Sequence, residues 1–93
     1  MRAVVKRQIK EGKIEEVLKV YEELAGPTRE EVGCVSYAIC KSQDEERVLA
    51  AIEEWADMDA FEAHLKSAHY LKLGPKLNDL TEKKTVDKYD QLI

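Results

Sequence analysis

The sequence has few of the residues that cross-link a chain or bind a metal: its 93 residues include two cysteines and two histidines. Cys34 and Cys40 lie in a run with the pattern of a strand, so about 20 Å separates them at roughly 3.3 Å per residue. That distance is beyond the reach of a disulfide, and we expect two free thiols. There is no C-x-x-C or H-x-x-x-H spacing, which argues against a closed structural zinc site.

An excess of basic residues and a long apolar run are also lacking. The formal charge is -4, whereas a protein that binds nucleic acid needs a net basic face against the phosphates. The apolar runs, such as Val48–Ile52, are too short to cross a bilayer, and the N-terminus has no apolar signal region. We therefore expect a cytoplasmic protein with neither a nucleic-acid nor a membrane partner.

The length predicts a single domain, residues 1–93, without internal repeats. A monomer of this size leaves about a third or more of its unfolded-chain surface unburied. A partner subunit would cover more of that surface, and the strand patterns described next give a second reason to expect one.

The first third of the chain contains a strand pattern followed by a helix pattern. Arg2–Lys10 alternates, and one face of the predicted strand carries Ala3, Val5, Arg7 and Ile9. Arg7 on this apolar face is expected to reach the surface, unless it pairs with a carboxylate or faces a ligand. From Lys13 apolar residues recur every three or four positions, which predicts an amphipathic helix that Gly26-Pro27 ends.

Two further strands are predicted in the middle of the chain. In Cys34–Cys40 one face of the predicted strand carries large side chains and the other carries small ones, which is typical of a strand covered on both faces. The large face is formed by Val35, Tyr37 and Ile39. Ser42–Glu46 suits a hairpin connection. The run that ends at Trp55 has the composition of a helix, but we assign it to a strand because that places Glu53 and Trp55 on one face, and because of a family resemblance described below.

The last third is predicted to be helical and then extended. Asp57 can cap a helix that begins at Met58, and Ser67 can cap a turn over Ala68–Leu73 that Gly74-Pro75 breaks. The charged run Glu82–Ile93 suits an edge strand. The resulting order of strand, helix, strand, strand, helix, strand is the split βαβ arrangement. The predicted fold class is therefore α+β and ferredoxin-like, with a four-stranded antiparallel sheet and helices on one face.

The candidate site lies between Glu53 and His69, the stretch that holds the one Trp, the one Phe and both His residues. On a helix from Met58, the spacing places Phe61, His64 and Leu65 on one face, so the imidazole points where the apolar residues point. Two interpretations stay open at this point. Either Trp55, His64 and His69 line a pocket, or His64 is a hydrogen-bonded core residue and Trp55 packs beside it.

Three runs of the sequence resemble the antibiotic biosynthesis monooxygenase (ABM) domain family. I-K-E-G-K-I-E-E-V from Ile9 resembles the family's strand end and Gly-containing entry to its first helix. T-R-E-E-V-G-C-V-S-Y, residues 28–37, resembles the run Glu-x-Gly-Cys-x-x-Tyr. E-E-W-A-D-M-D-A-F-E-A-H-L-K-S-A-H, residues 53–69, resembles a Glu-x-Trp strand end followed by a helix with one His and a second His five residues on.

The resemblance implies a homodimeric α/β barrel with a pocket in each subunit between sheet and helices. It also implies that no metal or flavin cofactor is needed, because a small quinol-like or phenolic substrate can itself reduce dioxygen once a base removes its proton. We assign His64 as the base and divide the predicted site residues between catalysis and substrate binding. Catalysis is assigned to His64, Trp55 and Tyr37, and substrate binding to Phe61, His69, Glu53 and Arg7.

Other interpretations of the same residues remain. His69 can be structural, and Glu53 can pair with Arg7 or Arg29 across the sheet. The chain can also be a non-catalytic dimeric protein that binds a small apolar ligand. A third hypothesis is a haem-degrading monooxygenase with His64 or His69 as the axial ligand.

Overall fold

The fold is a four-stranded antiparallel sheet with helices packed on one face, as the sequence predicts. The computed structural model describes residues 1–93. Along the chain the elements are β1 (Arg2–Ile9), α1 (Ile14–Arg29), β2 (Cys34–Lys41), β3 (Val48–Trp55), α2 (Met58–Leu65), α3 (Ala68–Asp79) and β4 (Thr81–Tyr89). The strand order is β2-β3-β1-β4. β3 is a strand despite its helical composition, because it pairs with both β1 and β2 at the centre of the sheet.

The core lies between the helices and one face of this sheet. β3 contributes Leu49, Ala51 and Trp55, which meet buried side chains of α1 and α3 such as Leu24 and Leu77. On the opposite face Ile52 is 45% exposed. The period of two in the strands thus separates a covered face from an uncovered one.

Both predicted Gly-Pro breaks are wrong, because each helix continues through its Gly-Pro pair. Pro27 lies in the last turn of α1, where one missing N–H removes a single hydrogen bond. The turn is retained because Thr28 is fully buried and its Oγ1 donates to the Leu24 carbonyl at 2.7 Å. In α3, Gly74 and its neighbour Leu73 are both buried against the rest of the chain, so tertiary packing outweighs the local preference.

A β-bulge at the start of β2 changes one predicted face. The register with β3 shifts between Cys34 and Ser36, so one extra residue is inserted on β2. Val35 therefore points outward and is 59% exposed, which contradicts its predicted place beside Tyr37. Tyr37 is buried, and Cys34 packs against the core.

The remaining predictions about the chain concern its edge strand and its thiols. β4 is an edge strand whose residues are mostly exposed, and it ends at Tyr89 rather than at the predicted Ile93. Cys34 and Cys40 are free thiols, as predicted. None of the helices is long and apolar enough to cross a membrane.

Gly33 is the one backbone position where packing and conformation both require glycine. Its φ is +88°, and a Cβ there would lie 2.6 Å from the Ala60 Cβ of α2. We expect Gly33→Ala to lower the free energy of unfolding by about 2 kcal/mol or more, through left-handed strain and a steric clash. Urea denaturation measures the loss.

Gly26→Ala is the matched control, because Gly26 lies inside α1 and a Cβ added there would have no neighbour within 4 Å. This change should leave stability the same or raise it by up to about 1 kcal/mol. Equal effects at the two glycines would contradict the explanation.

Candidate functional site

A cavity of about 430 Å³ lies between the sheet and the helices. All four strands and all three helices contribute to its wall, which is mostly apolar. The lining residues are Val5, Arg7, Tyr21, Tyr37, Ala51, Glu53, Phe61, His64, Leu65, Tyr70, Leu77, Lys84, Val86 and Lys88. Its volume suits a small ligand of one or two rings.

The structure brings five of the seven predicted site residues to this cavity. They are Arg7, Tyr37, Glu53, Phe61 and His64. Trp55 and His69 do not line it. Trp55 is buried behind the wall, with its ring centroid 4.8 Å from that of His64 and its Nε1 donating to Glu53 Oε1 at 2.9 Å. It therefore packs the histidine and holds the carboxylate in place.

Helix α2 places His64 as the spacing predicts. Asp57 caps the helix by accepting a hydrogen bond from the Ala60 N–H at 2.8 Å. From that start, Phe61 and His64 lie one turn apart and both are buried. Ser67 caps α3 and donates to the His64 carbonyl at 2.7 Å, so the end of α2 is also held.

The carboxylate that contacts His64 is Glu31, which lies in the loop between α1 and β2. Its Oε2 is 2.6 Å from Nδ1 of His64 and 2.8 Å from Nε2 of His69. Glu31 is absent from the site predicted from the sequence. The available signal was the Glu of the run Glu-x-Gly-Cys-x-x-Tyr, because Glu31 occupies that position.

The contact with Glu31 determines which nitrogen of His64 carries the proton. A carboxylate only accepts hydrogen bonds, so the neutral imidazole must present an N–H at Nδ1. Its other nitrogen, Nε2, then carries a lone pair and makes no hydrogen bond within the protein. Burial lowers the pKa of His64, and the hydrogen bond to Glu31 opposes that effect. At neutral pH the ring is therefore a proton acceptor on the cavity wall.

The same three side chains are chemically able to bind a metal ion. The ligand atoms of Glu31, His64 and His69 all lie within 4.8 Å of one another, and two imidazoles with one carboxylate are common ligands of transition metals. The spacing rules applied to the sequence could not find this set, because the carboxylate comes from a distant loop. In the observed geometry both imidazoles are hydrogen-bonded to the same Glu31 oxygen.

Arg7 is buried, and the expectation that it reaches the surface is wrong. It is 1% exposed, and its Nη1 donates to Asn78 Oδ1 at 2.9 Å and to Thr81 Oγ1 at 3.1 Å. These acceptors come from the end of α3 and the start of β4, which close over β1. Arg29, the other predicted partner of Glu53, instead donates to the Tyr37 carbonyl.

Four polar residues of the lining were absent from the sequence prediction. They are Tyr21, Tyr70, Lys84 and Lys88. The Tyr70 ring centroid lies 5.0 Å from that of His64. Burial raises the pKa of both Tyr21 and Tyr37, so these tyrosines remain neutral phenols that can donate hydrogen bonds into the cavity.

Glu53 is the one carboxyl group on the cavity wall. Burial raises its pKa to about 7, although the hydrogen bond from Trp55 acts in the opposite direction. Repulsion from Glu31 adds to the rise, and the positive charges of Arg7 and Lys84 oppose it. Near neutral pH this carboxyl group is therefore divided between its protonated and ionised forms.

Comparison with known proteins adds a family and a fold. A family model described as antibiotic biosynthesis monooxygenase matches residues 1–74. A crystal structure of an antibiotic biosynthesis monooxygenase is 30% identical with a TM-score of 0.92, covering 99% of this chain and 98% of that one. A crystal structure of a Shewanella oneidensis protein is 31% identical with a TM-score of 0.86, covering 97% and 88%.

One curated relative is an uncharacterized protein from Synechocystis. It is 26% identical over 76 residues, which are 82% of this chain. The chain spans about half the length of that relative, 52%.

The environment of Glu53 predicts a pH-dependent stability difference. The unfolded carboxyl group ionises near its ordinary pKa of 4.5, whereas the folded group does so at about 7. The unfolded state therefore loses its proton first, and this group's contribution to stability falls as pH rises from about 4.5 to 7 and then stays constant. Glu53→Gln removes the penalty and retains an oxygen for the Trp55 N–H.

We expect Glu53→Gln to gain stability over the unmodified protein by up to about 3 kcal/mol at pH 8, with a much smaller gain at pH 4.5. Urea denaturation at both pH values measures the difference. Glu54→Gln is the matched control, because Glu54 lies on the opposite face of β3 in a partly exposed ion pair with Arg2. A gain at Glu53 that does not depend on pH would contradict the assignment.

Proposed function

The chain belongs to the antibiotic biosynthesis monooxygenase family, and from that membership we propose that it is a cofactor-independent monooxygenase. Its substrate is a small phenol or quinol bound in the cavity. The single observation that carries the proposal is the orientation of His64. Nδ1 is held by Glu31, and the unprotonated Nε2 belongs to a residue of the cavity wall.

His64 acts as the general base in this proposal. A buried neutral imidazole can accept the proton of a phenolic hydroxyl, because its lowered pKa keeps it unprotonated at neutral pH. Glu31 is a positioning residue, which selects the tautomer and stabilises the imidazolium that forms. The arrangement follows the logic of a base oriented by a third group.

Removal of the proton makes the substrate electron-rich enough to reduce dioxygen. For a quinol, one oxygen atom enters a ring C–H position and the other leaves as water. The four electrons required come from the substrate, which ends as a hydroxyquinone. The protein supplies the base, the orientation and a water-poor cavity.

The apolar wall orients the substrate and keeps water out of the cavity. Phe61, Tyr37 and Tyr70 surround the side of the cavity next to His64, and aromatic rings of a substrate can pack against them. Trp55 packs behind His64 and limits the movement of the imidazole. Trp55 therefore contributes by positioning the base, while its Nε1 positions Glu53.

We also propose that two copies of the chain form a homodimer through the uncovered face of the sheet. Register pairs place Val4 of β1, Ile52 of β3 and Ala38 of β2 in one row on that face. Ile52 is 45% exposed in the single chain, so these three residues form an apolar strip, which Asp87 of β4 borders. A second copy related by two-fold symmetry would bury it against itself.

The role of His64 is tested by oxygen consumption with a quinol such as 1,4-naphthohydroquinone. His64→Ala should lose about 10²-fold or more in rate while remaining folded, because it removes the general base. Glu31→Gln should lose less, since the amide oxygen can still accept the Nδ1–H. Glu30→Gln is the matched control from the preceding position of the chain and should retain the rate.

A lower melting temperature of His64→Ala with an unchanged rate per folded molecule would contradict the catalytic role and leave a structural one. Quinol binding without oxygen consumption by the unmodified protein would instead favour the alternative, a dimeric ligand-binding protein.

The dimer is tested by sedimentation velocity at micromolar concentration, where we expect a two-chain species. Ile52→Asp should shift the protein to monomer, because a charge in a buried apolar strip has no partner. Leu71→Asp, a change at an exposed apolar residue of α3, is the control and should leave the dimer intact. A monomer as the only species of the unmodified protein would contradict the proposal.

A further inference from the structure

The wall of the cavity has a charge opposite to that of the whole chain. The chain carries a formal charge of -4, yet the charged groups of the lining are three cations, Arg7, Lys84 and Lys88, and one carboxyl group, Glu53. Lys88 is accounted for in part by its position 5.9 Å from the centroid of the Phe61 ring. Arg7 and Lys84 have no such explanation.

Arg7 and Lys84 are neighbours on adjacent strands. They are register partners in the pairing of β1 with β4 and face the cavity together. Like charges directly opposite each other destabilise a sheet. Neither residue takes part in any of the ion pairs of the chain. The fold therefore holds two cations side by side, neither of them in an ion pair, with Glu53 as the one carboxyl group on the same wall.

The guanidinium of Arg7 also has unused donors. Both of its hydrogen bonds come from Nη1, and Nε is the one buried side-chain polar atom in the structure without a partner. Leaving a charged donor unpaired in a buried site is unfavourable. An anion in the cavity could accept from the guanidinium and from the ammonium at the same time. Partial burial lowers the pKa of Lys84 and Arg7 lowers it further, while the negative charge of Glu53 acts in the opposite direction.

We propose that Arg7 and Lys84 form an anion-binding end of the cavity, and that the ligand is an aromatic compound with a carboxylate or similar anionic substituent. A carboxylate fits the planar fork of an arginine, and a nearby lysine adds a second donor. The inference rests on the proposed function only in placing a phenolic hydroxyl at the other end, next to His64.

The sheet register sets the approximate length of such a ligand. In the sheet, Glu53 of β3 pairs with Ala3 of β1 and with Tyr37 of β2. Because the Tyr37 ring lies beside the His64 ring, this row marks the end of the cavity near Trp55 and His64. Arg7 is four residues beyond Ala3 on β1, which is about 13 Å along the strand at ~3.3 Å per residue. Because the side chains extend into the space between, one or two fused rings can separate the hydroxyl from the anionic group. The expected substrate class is a hydroxylated aromatic acid.

The test compares two probes that differ in one charge, 6-hydroxy-2-naphthoate and its neutral carboxamide. Isothermal titration calorimetry at pH 7 and low salt gives both dissociation constants. We expect the unmodified protein to bind the carboxylate at least about tenfold more tightly than the amide, as charge-assisted hydrogen bonds would produce. Lys84→Gln should reduce this preference to within about threefold, and Lys84→Glu should reverse it.

Lys19→Gln is the matched control, because Lys19 lies on the exposed surface of α1 away from this cavity. It should keep the full preference. Lys84 is preferred to Arg7 as the site of substitution, since Arg7 also bonds α3 and β4 and its loss would affect folding. Equal binding of the two probes, binding of neither, or the same loss in Lys19→Gln would overturn the proposal.

Oxygen consumption separates this inference from the proposed function. Preferred binding of the carboxylate without oxygen uptake from any quinol would leave the anion site standing and reject the monooxygenase. Turnover of a neutral quinol together with equal binding of the two probes would support the monooxygenase and reject the anion site.

Discussion

One carboxylate oxygen holds the candidate site together. Glu31 Oε2 receives hydrogen bonds from His64 on α2 and His69 on α3, so a loop residue joins these two helices. The side chain of Glu31 is mostly buried, which strengthens these charge-assisted bonds relative to bonds in water. This contact holds α2 and α3 against the loop and sets the direction of the His64 imidazole.

The backbone around Glu31 is constrained for the same reason. Gly33 allows the loop to turn with positive φ and to approach α2 closely, and its carbonyl accepts from the Ala56 N–H at 2.7 Å. The bulge that follows reorients Val35 and leaves Tyr37 facing the cavity. A short stretch before and within β2 therefore positions the carboxylate and one aromatic wall together.

Polar groups on the cavity wall are arranged at some cost to stability. Glu53 is buried with a raised pKa, Arg7 retains an unpaired buried donor, and Lys84 lies opposite Arg7. Stability alone would not select the buried Glu53 and Arg7, because each leaves a buried ionisable group poorly compensated. Such sites are expected where a ligand supplies the missing partner. The edge strand β4 is the element that brings two of the cations to the cavity.

Local pattern determined the elements other than β3, and it determined the buried face of α2. The spacing of Phe61 and His64, the Asp57 cap and the alternation in β1 depend on near neighbours in sequence, so they could be read directly. The same local rules failed at Gly26-Pro27 and Gly74-Pro75, where burial of neighbouring residues outweighs helix-breaking preference, and at Val35, where a bulge shifts the face.

The tertiary structure alone decided which charges meet. Glu31 and His64 are 33 residues apart, and Arg7 meets Lys84 only because the strand order places β4 beside β1. Periodicity says which side of an element a residue occupies, but it does not say what lies opposite. That depends on the order and register of the strands, which are set by the packing of the whole chain.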